Sequence, residues 1–165
     1  MMFMPDMLVN LLKLPPLERA LVEAQQSGAL IRRAQPFELT PVRAFVEQHF
    51  TLGWADELAV GFQRQPVSVY LATRAGEIVG FAAYECTRRA FFGPTGVLPA
   101  ERGHGLGTAL LLASLYGLRE MGYVYGIIGS AGPTAFYQRT VGAIPIPDSE
   151  PGIYTDLLKA VTSDE

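Results

Sequence analysis

The chain has one cysteine and two histidines in 165 residues. A lone thiol, Cys86, closes no internal disulfide, and a reducing, cytoplasmic setting is expected. His49, His104 and Cys86 lie at no metal-ligand spacing, so no metal is expected. No motif brings a histidine to Cys86, which argues against a thiol nucleophile. Basic residues are not in excess: 13 Lys and Arg stand against 16 Asp and Glu. That balance excludes a general nucleic-acid binder but leaves room for a local basic rim. No apolar run reaches the roughly 20 residues of a membrane span. Met1–Leu14 is apolar, but it carries Asp6 and lacks the basic start and cleavage site of a secretory signal. No membrane partner is therefore expected.

What the chain does have is glycine in one telling place. Val97-Leu98-Pro99-Ala100-Glu101-Arg102-Gly103-His104-Gly105-Leu106-Gly107-Thr108 reads as a strand, a glycine-rich turn and the start of an apolar helix. Three glycines at alternate positions clear side chains from the turn. Backbone N–H groups at a helix N-terminus can then close around an anion, and Arg102 adds a cation with a planar donor fork. No Lys follows the glycines as a Walker A loop requires, and Thr108 stands where a dinucleotide fingerprint has its third glycine. A pyrophosphate cradle is one reading of the turn. A tight turn before a buried helix is the other.

Hydrophobic residues make up 49% of the chain, enough for one packed core. Residues 4–13 read as helical or irregular, and Pro15-Pro16 starts a helix from Leu17 to about Gln26. Residues 1–28 are thus expected as an N-terminal helical arm, docked or serving a homodimer contact, with the main domain over 29–165. Along that domain the pattern predicts a strand over 29–34 and helices over 40–50 and 54–63. Strands are predicted over 67–73, 78–87 and 91–98, the last bent or bulged at Gly93-Pro94. A buried helix over 106–121, a strand over 123–129 and a short helix over 133–140 follow. Strand material is predicted over 143–146 and 152–158. The order implies an α/β fold with a mixed sheet.

These residues resemble the GNAT superfamily of acetyl-CoA-dependent N-acetyltransferases. Arg102, Gly105 and Gly107 fill its central motif, Val97 and Pro99 its lead-in, and Phe136-Tyr137 before Gly142-Ala143 its aromatic signature. The resemblance implies a sheet with a splayed central strand pair and flanking helices. It implies acetyl-CoA as co-substrate, held by backbone groups of Val97 and Leu98 and by the turn Arg102, Gly103, His104, Gly105, Gly107 and Thr108. Ser130 stands where many relatives carry Asn against the pantetheine arm. Tyr137 is implied as general acid toward the departing sulfur. A thiol near 8.5 and a tyrosine near 10 leave that proton transfer uphill by only about 2 kcal/mol. A buried aromatic with a satisfied hydroxyl is the plainer role for Tyr137.

Glu85, on a central strand, is the first candidate for the base, or else a paired strand carboxylate. Phe50, Trp54 and Glu57 are expected to line the acceptor pocket, with core packing and a helix cap at Asp56 as alternatives. The implied reaction moves an acetyl group to a primary amine of a small molecule, amino acid or peptide by direct attack. A non-catalytic acyl-CoA sensor on the same fold is the other reading, and an unrelated nucleotide-binding domain a remote third.

Overall fold

A computed structural model describes residues 4–159. The hairpin at its centre shows how the chain dictates the sheet. Strands β3 (Val69–Arg74) and β4 (Glu77–Tyr84) are joined by Ala75-Gly76. Both joining residues take left-handed φ, 52° and 79°. That turn matches the natural twist of the strands it joins. β4 pairs in turn with β5 (Phe91–Val97), where Gly93-Pro94 forms the bulge expected there: Ala82 faces Thr95 and Tyr84 faces Phe92.

Five more elements flank this hairpin before the glycine turn. They are β1 (Met7–Asn10), α1 (Leu17–Gln26), β2 (Leu30–Arg33), α2 (Leu39–His49) and α3 (Leu52–Ala59). After it come α4 (Leu106–Glu120), β6 (Tyr125–Ile128), α5 (Thr134–Val141) and β7 (Ile144–Pro145). The seven strands form one mixed sheet in the order β2-β3-β4-β5-β6-β1-β7. Only the β5–β6 pair is parallel.

Each face of the sheet buries its own apolar layer. One core gathers α1, α4 and β1 with Tyr137 and Val141 of α5, and the other gathers α2 and α3. Nearly every residue of α4 from Leu106 to Leu118 is buried. That accounts for a helix apolar almost all round, covered by the sheet and by α1. No helix among the described residues is long and apolar enough to cross a membrane.

Three expectations need correction. Residues 7–10 are a strand, not helical or irregular. β1 lies between β6 and β7, with Met7 and Val9 fully buried on alternate positions. The expected arm is thus built into the sheet, and its helix α1 packs against the α4 core. Residues 1–3 of that arm, and 160–165 at the other end, lie outside the described residues. The predicted strand over 152–158 is absent, because Gly152 and Asp156 turn the chain with φ of 59° and 51°. β4 ends at Tyr84, so Glu85 is not a strand residue.

Candidate active site

The glycine turn opens where the helix begins. Gly105 is the residue before α4, with φ 74°, and Gly103 has φ 88°. Both conformations favour glycine. Arg102, Gly103, Gly105, Gly107 and Thr108 line a recess of about 560 Å³ at the helix mouth. His104 is exposed and stands outside that lining. Gly107 is a helix residue in open space. A β-carbon built there meets only Val97 Cγ2, at 4.0 Å, and the position faces the recess.

The side chains that line this recess are net positive. Glu101 is the one carboxylate among them, and Arg74 occupies it with Nε at 3.1 Å and Nη2 at 2.8 Å. Glu23, exposed on α1, brings Oε2 to 3.8 Å from a β-carbon built at Gly105. Arg102 and Arg139 stand free of such a partner among the described residues. Arg139, on α5, was missed in the sequence because its helix is brought opposite the turn only by the fold. With α4's N-terminal amides, the two guanidinium groups suit a diphosphate.

Beyond the turn, β5 and β6 part company. They pair only at Phe91–Ile127 and Phe92–Ile128. From Gly93 onward that edge of β5 faces an opening. Backbone groups on a strand alternate between its two edges. The Leu98 N–H donates to Val79 O at 3.0 Å, on the β4 side, and Leu98 O accepts from Glu101 N. Leu98 is therefore spent within the chain, which corrects the expectation that it would offer an unpaired group. Val97 and Thr95 turn their N–H and C=O the other way, into the opening.

Tyr137 stands in that opening. It is 6% exposed and packs edge-on against Phe92 and Phe136, at 6.3 and 5.2 Å between centroids. Burial alone pushes its phenol up to about 12. A recess of about 160 Å³ joins it to the helix mouth, walled by Val97, Gly107 and Phe136. On its other side a cavity of about 330 Å³ runs from Tyr137 past Phe92 and Ser130 to Trp54. A fourth space of about 240 Å³ shares Trp54, Phe92 and Ser130 and ends at Glu57, Thr87 and Tyr154. The four share walls in series, forming one cleft from Arg102 to Glu57.

The acceptor wall is assembled from α3 outward. Thr51 caps that helix, its Oγ1 accepting the Trp54 N–H at 3.0 Å, so the cap is Thr51 and not Asp56. Asp56 instead pairs with Arg43 at 2.6 Å. Phe50 stacks behind Trp54 at 5.8 Å and 25°, and covers Gly96, where a β-carbon would collide with its ring. Phe50 thus supports the wall while Trp54 forms it. Glu57 lines the cleft end and accepts the Thr87 hydroxyl at 2.5 Å.

Glu85 is elsewhere. It is 2% exposed with φ 59°, and its Oε1 accepts from Ala90 N and from the Tyr123 hydroxyl, each at 2.8 Å. It lines neither cavity beside Tyr137. Its geometry fixes the 85–90 turn, in place of the base position expected of a strand residue.

Asp6 was missed altogether. Its Oδ1 accepts the Ser130 N–H at 2.8 Å, its own N–H donates to Ser149 Oγ, and its carbonyl accepts from Ile146 N. It ties the Gly129–Gly132 wall of the cleft to both ends of the chain. Only the pattern Pro-Asp ahead of a short alternating run could have signalled it. No group of three or more potential metal ligands occurs among the described residues.

Residues 65–140 match the model of an acetyltransferase (GNAT) domain. That segment runs from β3 to α5 and holds the turn, the β5 edge and Tyr137. No curated protein matches the chain. Among solved structures, the chain is similar to the GCN5-related glucosamine N-acetyltransferase region of a fungal multi-domain GH3 beta-N-acetylglucosaminidase. The TM-score is 0.71 and identity 15%, over 88% of this chain and 20% of that one. It is also similar to a GCN5-related N-acetyltransferase from Kribbella flavida, with TM-score 0.60 and 19% identity over 87% and 55%. A third, from Sphaerobacter thermophilus, has TM-score 0.57 and 21% identity over 88% and 50%. The chain spans from a fifth to about half the length of these proteins. Residues 65–140 thus carry the match to the acetyltransferase (GNAT) domain, and the sheet that opens between β5 and β6 has the fold of these GCN5-related structures.

Proposed function

We propose that the chain is an acetyl-CoA-dependent N-acetyltransferase that acetylates a primary amine by direct attack. The observation that carries this is the single cleft joining a cationic helix mouth, an open strand edge, a buried phenol and a carboxylate, in that order. The room left at Gly107 fits a phosphate-bearing chain passing the helix mouth. When bound, acetyl-CoA supplies the activated acetyl group.

The amides of 103–108, with Arg102 and Arg139, would hold the diphosphate. The free edge of β5 at Thr95 and Val97 would bond the pantetheine arm as an added strand. A Val97 or Thr95 N–H would also receive the carbonyl oxygen as negative charge grows there. Nitrogen–carbon bond formation breaks the carbon–sulfur bond, and the Tyr137 hydroxyl gives its proton to the leaving sulfur. With the phenol near 12, that transfer to a thiolate of ordinary pKa is uphill by roughly 5 kcal/mol. The same apolar walls raise a buried thiol and narrow the gap. No His, Asp or Glu lines the cavity at Tyr137. The proton shed by the amine would therefore leave through water in the open cleft.

Calorimetry with acetyl-CoA, followed by thiol release across an amine panel, tests the reading. Binding, and turnover that falls about 10²–10⁴-fold in Tyr137→Phe with binding retained, are the expected results. Binding without turnover on any amine would favour a sensor. No binding would remove both.

A further inference from the structure

Resting on that reading of the cleft, we infer that the acceptor is a small diamine. One nitrogen would react beside Tyr137 while a second, cationic nitrogen sits against Glu57, Trp54 and Tyr154. The end of the cleft away from the helix mouth carries one charged group, and it is negative. Glu57 lines the terminal space but not the cavity at Tyr137, and the wall between them is shared aromatic and loop surface. A group held by Glu57 is therefore not the group that reacts.

Glu57 has a directed carboxylate. Oε2 is fixed by Thr87 at 2.5 Å, while Oε1 has no hydrogen-bond donor among the described residues. Trp54 and Tyr154 line the same space, and aromatic rings attract an ammonium through their quadrupoles. Burial raises the Tyr154 phenol, and the charges of Glu57 and Asp6 raise it further. No lysine or arginine lines either space. An acceptor bearing its own carboxylate there would face Glu57 without a counter-charge. The terminal space, about 240 Å³, suits a short amine arm.

Trp54 is the only tryptophan in the chain, so its fluorescence reports on this space directly. The experiment titrates the full chain, without acetyl-CoA, with 1,4-diaminobutane, 1-aminobutane and 4-aminobutanoate. These share one carbon chain and differ in the charge at its far end. The expected result is at least tenfold tighter binding of the diamine than of the monoamine, with no saturation by the aminobutanoate. Glu57→Gln, which keeps an acceptor for Thr87, should erase the diamine's advantage. Equal binding of any two ligands in the unaltered protein would overturn the inference, as would an unchanged preference in Glu57→Gln. The ranking in the unaltered protein stands even if the variant fails to fold. Acetyl-CoA binding measured separately keeps the two readings apart. If it binds and the diamine shows no preference, only the acceptor inference fails. If the diamine is preferred and acetyl-CoA does not bind, the transferase reading fails.

Discussion

Asp6 accepts the Ser130 amide N–H at 2.8 Å across 124 residues of chain. Ser130 has φ 45°, an unusual conformation for a residue with a side chain, and the carboxylate holds it there. The loop so fixed is one wall of the cleft. Asp6→Ala should lower stability by about 2 kcal/mol, the typical cost of losing a charge-assisted bond to a backbone donor. It should also raise KM for the amine more than it lowers kcat, because the wall shifts while Tyr137 stays. Denaturant midpoints and steady-state kinetics check both parts. An unchanged KM would mean that the loop holds its shape without Asp6.

Thr51 and Trp54 make a second pair of this kind. Removing the cap in Thr51→Ala should cost about 1 kcal/mol. It should also loosen Trp54, so its fluorescence maximum shifts to the red. A stability loss with an unmoved emission maximum would show that Phe50 and Phe81 hold the indole by themselves.

The raised Tyr137 phenol has a consequence for pH. Its pKa is about 12 in the folded chain and about 10 when unfolded. The protonated form is thus favoured by folding. That stabilisation is complete below about pH 10 and is lost as pH rises toward 12. Between those limits it amounts to roughly 2–3 kcal/mol. Urea midpoints from pH 9 to 11.5 should fall less steeply in Tyr137→Phe than in the unaltered protein. The same shift keeps the acid protonated through neutral pH, so no alkaline fall in kcat near pH 10 should trace to Tyr137.

Cys86 should be a poor nucleophile. Burial pushes its thiol up to about 11. Alkylation by iodoacetamide at pH 8 should run roughly 200-fold slower than for a free thiol of pKa about 8.5, in proportion to the thiolate fraction. A rate near that of free cysteine would contradict the burial.

The donor half of the cleft was legible because it is written in backbone chemistry. Gly103, Gly105, the bulge at Gly93-Pro94 and the apolar run of α4 each act locally, so their spacing in the sequence carries over into space. The acceptor half depends on what meets across the fold. Arg139 reaches the recess only because α5 crosses the helix mouth. Glu85 alternates like a strand residue, yet the chain leaves the sheet one position earlier, at Tyr84, and turns its carboxylate to Tyr123. Leu98 and Val97 look equivalent in sequence, and only the pairing of β4 and β5 decides which one faces the opening. β1 was hidden for a related reason. Four residues bounded by Pro5 and a Leu-rich turn show too little alternation to be told from a helix start.

The most direct test is Gly107→Leu, measured for stability and for acetyl-CoA binding together. The position is helical and no described protein atom crowds a β-carbon there, so the larger side chain has room in the free protein and Tm should change little. Leucine would fill the recess lined by Arg102, Gly105 and Thr108, where the diphosphate is proposed to sit. The expected result is a nearly unchanged Tm with calorimetric affinity for acetyl-CoA lowered at least tenfold. An unchanged Tm with unchanged affinity would show that acetyl-CoA does not pass the mouth of α4, and would contradict the placement of the donor.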